Sequence, residues 1–395
     1  MDMRNRVSAK IMPLGSLVMN LDKERVPLST SERSERKGMY PYYGAQGIID
    51  RVDAYIFDGT YLLIAEDGEN LKSRKENIAQ IVSGKFWANN HVHIVSENGQ
   101  CDIRYLCYYL NFMDITPYVT GSVQPKLNQS NLNAIHVPVP PLETQRQIAA
   151  VLGALDDKIE TNDRIIKNLQ EQVRVAYRQT CVLDTYGKPV CLSNVAGIQS
   201  QIFNPQQEPE QIVEHYSIPA FDENQFPVLE SSKDIKSNKY KVDGSVVLVS
   251  KLNPSTKRVW RPYDVTATAI CSTEFVVLKP KETDMLDYLH AVIDSSDFYN
   301  FLNSCVTGTT GSRQRVAPAT VLEYEFSMPQ WDKVRSFTEL AKPMFAQIRN
   351  LRVENSILAR IRDALLPRVM SGEIDVSNVQ LDEPAGEATA VAEEV

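Results

Sequence analysis

The stretch VPVPPLETQRQIAAVLGALDDKIE, from Val137 to Glu160, decides the fold because it opens a long regular helix in the middle of the chain. From Ile148 onward, seam residues recur with alternating spacings of four and three residues. This heptad seam is narrower than the apolar stripe of an ordinary core helix, and it requires a partner helix. The predicted seam consists of Ile148, Leu152, Leu155, Ile159, Asn162, Ile166 and Leu169.

A second segment offers that partner. The sequence PPLETQRQI starts at Pro140, and the similar PQWDKVRSF starts 189 residues later, at Pro329. The helix after Pro329 repeats the spacing of the first seam, which predicts that the two helices pack against each other. The alternative is that each helix packs on its own globule. One asparagine in each seam is expected to fix the register. The second seam contains Ile348, Leu351, Asn355 and Leu358.

The order along the chain is globule, helix, globule, helix. Short β-like runs, such as TYLLIAEDG and STEFVVLKP, predict mixed strand and loop structure before each helix. The acidic end of the chain lacks aromatic residues and periodicity, and we expect it to be disordered. The predicted segments are 1–140 (first globule), 141–180 (first helix), 181–328 (second globule), 329–372 (second helix) and 373–395 (tail).

The net charge of −8 does not exclude an anionic partner. Residues 373–395 hold seven acidic residues and no Lys or Arg, which leaves a charge of only −1 on the rest of the chain. The six cysteines form no C-x-x-C pair and the five histidines complete no familiar zinc spacing, which favours reduced thiols over a metal site. Without a signal-peptide core or an apolar run of about 18 residues, the chain is expected to be cytoplasmic.

Three stretches resemble one known family. They are YPYYGAQGIIDRVDAYIFDGTYLLIAEDG (Tyr40–Gly68), GSVQPKLNQSNLNAIHVPVPPLETQRQIAAVLGALDDKIETNDRI (Gly121–Ile165) and IRDALLPRVMSGEI (Ile361–Ile374). The first resembles a target-recognition domain, and the other two resemble the spacer regions, of the specificity subunit of type I restriction-modification systems. The resemblance implies an α/β (α+β) fold in which two target-recognition domains are separated by two long antiparallel coiled-coil helices, with a pseudo-twofold internal repeat.

The same resemblance implies a function and a set of partners. Each domain is expected to read one half of a bipartite, asymmetric site in double-stranded DNA, while the helices set the spacing and dock two methyltransferase (modification) subunits. Restriction (motor/nuclease) subunits complete such complexes, which defend cells against phage. S-adenosylmethionine, and for cleavage ATP and Mg, are expected on the partner subunits, and no cofactor is expected on this chain.

The residues themselves offer candidate DNA contacts. Lys and Arg neutralise phosphates, whereas Arg, Lys, Asn and Gln match the donor and acceptor pattern of base edges in the major groove. Such residues cluster in loop-like stretches of both globules, and the last cluster mirrors the Gln124 cluster because each follows a Thr-Gly turn just before a long helix. The predicted DNA-binding residues are Tyr42, Tyr43, Gln46, Lys72, Arg74, Lys75, Gln124, Lys126, Asn128, Lys251, Asn253, Lys257, Arg258, Arg313, Gln314 and Arg315.

The sequence lacks the familiar motifs of two enzyme classes that act on DNA. The sequence has no phosphate-binding G-x-x-x-x-G-K-[ST] loop and no N/D-P-P-Y type methyltransferase loop. His91 and His93 face the same side of a predicted strand but have no third metal ligand nearby in the sequence. We therefore expect a chain that is not an enzyme by itself. Two alternatives remain, a self-contained nuclease or methyltransferase with a cryptic site, and a helical adaptor whose globules bind protein.

Overall fold

The computed structural model describes residues 9–183, 186–263, 265–306, 314–376 and 379. These residues form two units. The first unit contains the residues up to Lys158 together with those from Leu358 onward, and the second contains Ile159–Ile357. Both boundaries fall inside the two long helices, so each unit combines one globule with a part of each helix.

The globule of the first unit combines strands with short helices. Its strands are β1 (Lys10–Pro13), β2 (Val18–Asn20), β3 (Lys37–Gly44), β4 (Gly47–Val52), β5 (Phe57–Ala65), β6 (Ala79–Ala88), β7 (Val92–Glu97) and β8 (His136–Val139). Its helices are α1 (Thr30–Glu35), α2 (Asn70–Ser73), α3 (Ile103–Phe112) and α4 (Gln129–Asn133). The strands from β2 to β7 form one sheet in the order β2-β7-β5-β6-β3-β4, and β1 pairs with β8 separately.

The globule of the second unit is built in the same mixed manner. Its strands are β9 (Lys188–Cys191), β10 (Ala196–Ile198), β11 (Ile202–Phe203), β12 (Ile212–Tyr216), β13 (Val228–Ser231), β14 (Lys239–Lys241), β15 (Val247–Ser250), β16 (Val259–Trp260), β17 (Ala269–Ser272), β18 (Phe275–Pro280) and β19 (Glu325–Met328). Its short helices are α6 (Leu192–Val195), α7 (Ile218–Asn224), α8 (Leu286–Ile293), α9 (Ser296–Ser304) and α10 (Pro318–Val321). The sheets have the orders β10-β18-β15-β16 and β11-β14-β17-β12-β13, and β9 pairs with β19.

The two long helices are α5 (Leu142–Tyr177) and α11 (Trp331–Met370). Helix α5 begins directly after Pro140 and Pro141, because proline suits the start of a helix and not its interior. Helix α11 ends before Gly372, whose φ of 70° is the left-handed conformation that closes many helices. Each predicted seam residue of both helices is buried or half-buried.

Within the second unit the two helices pack against each other in opposite directions. The Tyr177 ring lies 5.7 Å from that of Phe337, and the Asn162 amide donates to the Asn355 carbonyl oxygen at 2.8 Å. Residues with higher numbers on α5 therefore face residues with lower numbers on α11, so the two helices are antiparallel. The Asn355 amide donates in turn to Asp163 at 2.9 Å. A seam asparagine pair with one buried member, Asn162, disfavours other registers.

The helices are also part of the globule cores. In the first unit Leu152 of α5 and Val369 of α11 are buried in the core that contains Leu106. In the second unit Ile166 of α5 and Phe337 of α11 join the core around α8 and β18. The described residues of the predicted tail, 373–376 and 379, include Val376, which is buried. Most of the tail lies outside the described residues.

The strand pairing repeats between the globules. In the first, β7 lies between β2 and β5, and Ile64 faces His93 across the β5–β7 ladder. In the second, β18 lies between β10 and β15, and Val249 faces Val276. The pairs β1–β8 and β9–β19 correspond as well, since each joins the start of a globule to the strand before a long helix. The predicted mixed α/β fold with an internal repeat and two long helices is confirmed.

Candidate nucleic-acid interface

A short segment before α5, residues 120–128, is fixed by backbone hydrogen bonds, and we call it the first loop. The Leu127 amide donates to the Glu66 carbonyl at 2.8 Å, and the Gly68 amide donates to the Pro125 carbonyl at 3.1 Å. Gly121 has a φ of 83°, and a Cβ at this position would lie 2.2 Å from the Gln124 carbonyl oxygen. Only glycine therefore allows the tight turn that presents the tip. At the tip Gln124 is exposed and the preceding Val123 is 96% exposed.

Lys72, Arg74 and Lys75 of the neighbouring turn have different environments. The Lys72 ammonium donates to the Gly121 carbonyl at 2.8 Å, which brings this turn against the first loop. Lys75 is exposed. Arg74 is half-buried and donates to the carbonyl oxygens of Leu110 and Asn111 at 2.9 and 2.6 Å, and burial lowers the pKa of its guanidinium. This placement corrects the expectation that Arg74 contacts DNA, because its donors hold the end of α3.

We expect Arg74→Ala to destabilise the first unit by about 1–3 kcal/mol, because two carbonyl groups lose a charged donor. Chemical denaturation of the full chain measures this change, and hydrogen exchange of α3 locates it. The matched control is the adjacent exposed residue, since Lys75→Ala should change stability by no more than about 0.5 kcal/mol. Equal stability of the two variants would show that the Arg74 hydrogen bonds contribute nothing to the fold.

The hairpin of β3 and β4 carries the third predicted cluster of the first unit. Gln46 is exposed in its turn, and Tyr43 is half-buried with its ring 5.5 Å from that of Phe86. Tyr42 is fully buried, and its hydroxyl accepts a hydrogen bond from the Leu28 amide at 2.9 Å. This burial corrects the expectation that Tyr42 contacts DNA. The hairpin also exposes large apolar side chains that the sequence did not single out, namely Met39, Ile48 and Ile49.

One short segment, Asn89–His91, links the hairpin to the first loop. The Asn89 amide donates to the Tyr43 carbonyl at 2.9 Å, and the His91 carbonyl accepts from the Glu66 amide at 2.9 Å. The His91 ring pairs with Asp67 at 2.6 Å. All three predicted clusters of the first unit are therefore connected around this segment, although they are far apart in the sequence.

Two other predicted contacts of the first loop have intramolecular partners. The Lys126 ammonium lies 3.1 Å from a carboxylate oxygen of Glu66, with about half of its side chain exposed (51%). The Asn128 side chain caps α4 by accepting a hydrogen bond from the Asn131 amide at 2.9 Å. Asn128 therefore fixes the end of the loop, whereas Lys126 remains accessible to an anion.

The second unit holds an equivalent segment, residues 314–317, which we call the second loop. The Asn253 amide donates to the Gln314 carbonyl at 2.8 Å, and the Val316 amide donates to the Lys251 carbonyl at 3.1 Å. These two hydrogen bonds repeat the pair that holds the first loop, so that Arg315 occupies the place of Lys126. Asn253 takes the place of Gly68, and both residues have a positive φ, 47° for Asn253 and 116° for Gly68. The two predicted clusters of the second unit are thus brought together.

The long charged side chains around the second loop are paired with acids. Arg315 donates two hydrogen bonds to Glu274 at 3.1 and 2.8 Å, and Lys257 lies 2.7 Å from Asp294. Arg258 donates to both carboxylate oxygens of Asp222 at 2.6 and 2.8 Å, and only 11% of its side chain is exposed. This burial corrects the expectation that Arg258 contacts DNA. Arg313 lies outside the described residues, and Lys251, Asn253 and Gln314 are half-buried.

The described part of the chain contains no cluster of three or more His, Cys, Asp or Glu side chains that fits a metal ion. His93 is buried against Asp22, and Glu66 pairs with Arg25 at 2.9 Å, so neither belongs to a metal-ligand group. Among the described helices, none has the length and apolarity needed to cross a membrane. What the site offers is a set of exposed amides and cations on fixed loops.

Comparison with known proteins finds a similarity for the first part of the chain. Residues 10–171, from β1 into α5, match the family model described as the type I restriction modification DNA specificity domain. The match covers less than half of the chain. The matched segment contains the first loop and all three candidate clusters of the first unit.

Curated proteins are similar to part of the chain. The chain is 39% identical over 143 residues to a putative type I restriction enzyme specificity subunit of Haemophilus influenzae, and this alignment covers 36% of each protein. It is 32% identical over 125 residues to the type I restriction enzyme EcoprrI specificity subunit of Escherichia coli, which covers 32% of this chain and 30% of that protein. The matched part thus spans about a third of each relative.

A solved structure shares the fold over nearly the whole chain. The crystal structure of the type I restriction-modification system S subunit from M. genitalium superposes with a TM-score of 0.59 at 13% identity. The superposition covers 93% of this chain and 98% of that one. It extends the structural likeness beyond the segment that matches the family model, to the second unit.

Proposed function

We propose that the chain is the DNA-specificity subunit of a type I restriction-modification complex and that each unit reads one half of a bipartite DNA site. The observation that carries the proposal is the repeated loop. In both units a segment that precedes a long helix is held by the same two backbone hydrogen bonds beside a turn of positive φ. A protein that reads two half-sites needs two such fixed and separately variable surfaces.

The side chains of the first unit suit DNA. Exposed Gln46 and Gln124 can each pair with the N6 and N7 of adenine in the major groove. Exposed Lys72 and Lys75 lie beside the first loop, where phosphate contacts would fix the position of the protein on the duplex. The remaining charge of −1 on the chain outside residues 373–395 does not oppose such binding.

The proposed chain is not catalytic and depends on partners. We propose that two methyltransferase subunits dock on the helices and supply methylation with S-adenosylmethionine, and that restriction subunits supply cleavage with ATP and Mg. Helix α11 supports docking because Val353 and Ile357, one turn apart, expose large apolar side chains to solvent. The complex would act on DNA in the cytoplasm.

The test separates phosphate contacts from base contacts. We expect the double variant Lys72→Ala, Lys75→Ala to weaken binding of the assembled complex to all DNA sequences alike and to reduce the slope of log affinity against log salt by about 2. The measurement is a salt titration of binding to cognate and unrelated duplexes. A matched control is Lys279→Ala, Lys281→Ala at the far end of β18, which should leave the slope unchanged.

The outcomes also distinguish the alternatives. Unchanged affinity and salt slope in the first double variant would contradict the phosphate role of this turn. Salt-insensitive binding by the wild-type complex would favour a protein-binding adaptor instead. Methylation or cleavage by the isolated chain would favour a self-contained enzyme.

A further inference from the structure

A histidine in the first unit is buried with both ring nitrogens hydrogen-bonded. His93 on β7 is 1% exposed, and its Nδ1 lies 2.6 Å from an Asp22 carboxylate oxygen. Its Nε2 lies 2.7 Å from the carbonyl oxygen of Leu127, which belongs to the first loop. The ring therefore connects the strand directly to the loop that carries Gln124.

The partners determine how this ring is held. A backbone carbonyl only accepts hydrogen bonds, so Nε2 carries the proton that it donates to Leu127. Burial alone would raise the pKa of Asp22, but the hydrogen bond and charge of His93, with a further bond from the Ile94 amide, lower it below its usual value. Asp22 accepts that Ile94 bond at 2.9 Å, so the His93 ring is held between a buried carboxyl group and the first loop.

Charged side chains close to His93 and Asp22 also hold the first loop. Glu66 lies 3.9 Å from the His93 Nδ1, and it is shared between Arg25 at 2.9 Å and Lys126 of the first loop at 3.1 Å. The loop is therefore held by the Leu127 carbonyl, by the Lys126 ammonium and by the backbone bonds to Glu66 and Gly68. The hydrogen bond between His93 and the Leu127 carbonyl is buried.

The second unit has no histidine at the position equivalent to His93. Strand register places Val276 opposite Val249 in the way that His93 lies opposite Ile64. Val276 is an apolar core residue that is 2% exposed, and it forms no side-chain hydrogen bond. The second loop is tied at the surface instead, by Arg315 and Glu274. The chain thus contains its own comparison, with one loop anchored by a buried histidine and an equivalent loop without it.

We propose that His93 is a positioning residue for reading of the first half-site, because its buried ring fixes the first loop by donating from Nε2 to the Leu127 carbonyl. This inference rests on the proposed function. The side chain that it positions is Gln124, three residues before Leu127. Base readout requires a bidentate side chain to be placed within a fraction of an ångström, so a loosened anchor should weaken discrimination more than overall affinity.

The experiment uses the assembled complex and two DNA libraries, each randomised in one half-site. We expect His93→Gln to reduce discrimination in the first half-site by about tenfold, within the range for loss of one bidentate base contact. Discrimination in the second half-site should not change. The matched control is His136→Gln on β8, an exposed histidine of the same unit whose ring lies 3.4 Å from the Tyr118 hydroxyl.

A second variant separates the Leu127 bond from the Asp22 carboxyl group. The amide introduced by Asp22→Asn can donate to Nδ1 of His93, and the Nε2 proton still reaches the Leu127 carbonyl. We therefore expect Asp22→Asn to retain discrimination in the first half-site. Thermal unfolding checks that each variant is folded, and if His93→Gln is not, the double variant Asp22→Asn, His93→Gln, which changes both members of the pair, replaces it.

Each result decides for or against the inference. An equal loss in both half-sites, no loss in a folded His93 variant, or a loss in Asp22→Asn as large as that in His93→Gln would overturn it. Nitrogen NMR of histidine-labelled protein should show a proton on Nε2 of His93, and a ring protonated only at Nδ1 would also overturn it. If the wild-type complex shows no sequence discrimination, the proposed function fails and this inference falls with it.

Discussion

Replacing Phe337 with alanine is expected to destabilise the second unit by about 3–5 kcal/mol, the range for deleting a buried aromatic ring. Phe337 is fully buried, and its ring lies 5.7 Å from that of Tyr177 and 6.4 Å from that of Tyr288. It therefore joins α11 to α5 and to α8 at a single point. Denaturant unfolding of the full chain measures the loss, and hydrogen exchange by segment should place it in the second unit.

The control for this prediction lies one turn further along the same helix. Leu340 is 48% exposed, so Leu340→Ala should change stability by less than about 1 kcal/mol. Similar losses in the two variants would mean that helix propensity rather than core packing accounts for the effect. A Phe337→Ala protein with wild-type stability would contradict the interlocked core of helix and globule.

The helices were the part of the fold that the sequence could predict. A heptad seam is a local pattern, and its period reports which face of a helix is buried whatever the partner is. Asn162 and Asn355 were expected to fix the register, and the structure joins them directly at 2.8 Å. The alignment of the two seams at an offset of 189 also located the two loops, because Lys126 and Arg315 differ by the same number.

The placement of single side chains depended on distant partners that a local pattern does not contain. Tyr42 is hydrogen-bonded to Leu28, and Arg74 is hydrogen-bonded to the end of α3. Arg258 is hydrogen-bonded to Asp222, which is 36 residues away in the sequence. Residue type and loop-like context suggested DNA contact for all three. Their orientation was decided by tertiary packing, and the contacts to DNA of the remaining candidates stay predictions.

The sequence around His93 indicates part of the role of this residue. His93 lies in FWANNHVHIVS, whose alternation predicts a strand, and a histidine at a core-facing position of such a strand needs buried polar partners. The partners, Asp22 and the Leu127 carbonyl, are 71 and 34 residues away. The sequence could mark the residue as unusual, but it could not show which loop the ring supports.

The other large effect is expected at the tip of the first loop. Gln124 is exposed on a segment held by Gly121, by Lys72 and by the buried His93, so its side chain is presented from a fixed backbone. We predict that Gln124→Ala relaxes specificity within the first half-site by about 1–3 kcal/mol, a factor of about 5 to 150 in preference for the right base, because one bidentate pair is lost. Specificity in the second half-site should be unchanged.

Methylation by the assembled complex on libraries randomised in one half-site at a time measures this prediction. The matched control is Gln100→Ala, which removes an exposed glutamine beyond the opposite end of β7 and should alter neither half-site. A uniform loss across all sequences would make Gln124 a backbone contact, since phosphate contacts carry no sequence information. The second loop has the same backbone hydrogen bonds as the first, but its Arg315 is paired with Glu274. A loss of specificity in the second half-site of the Gln124→Ala complex would show that the two units do not read DNA independently.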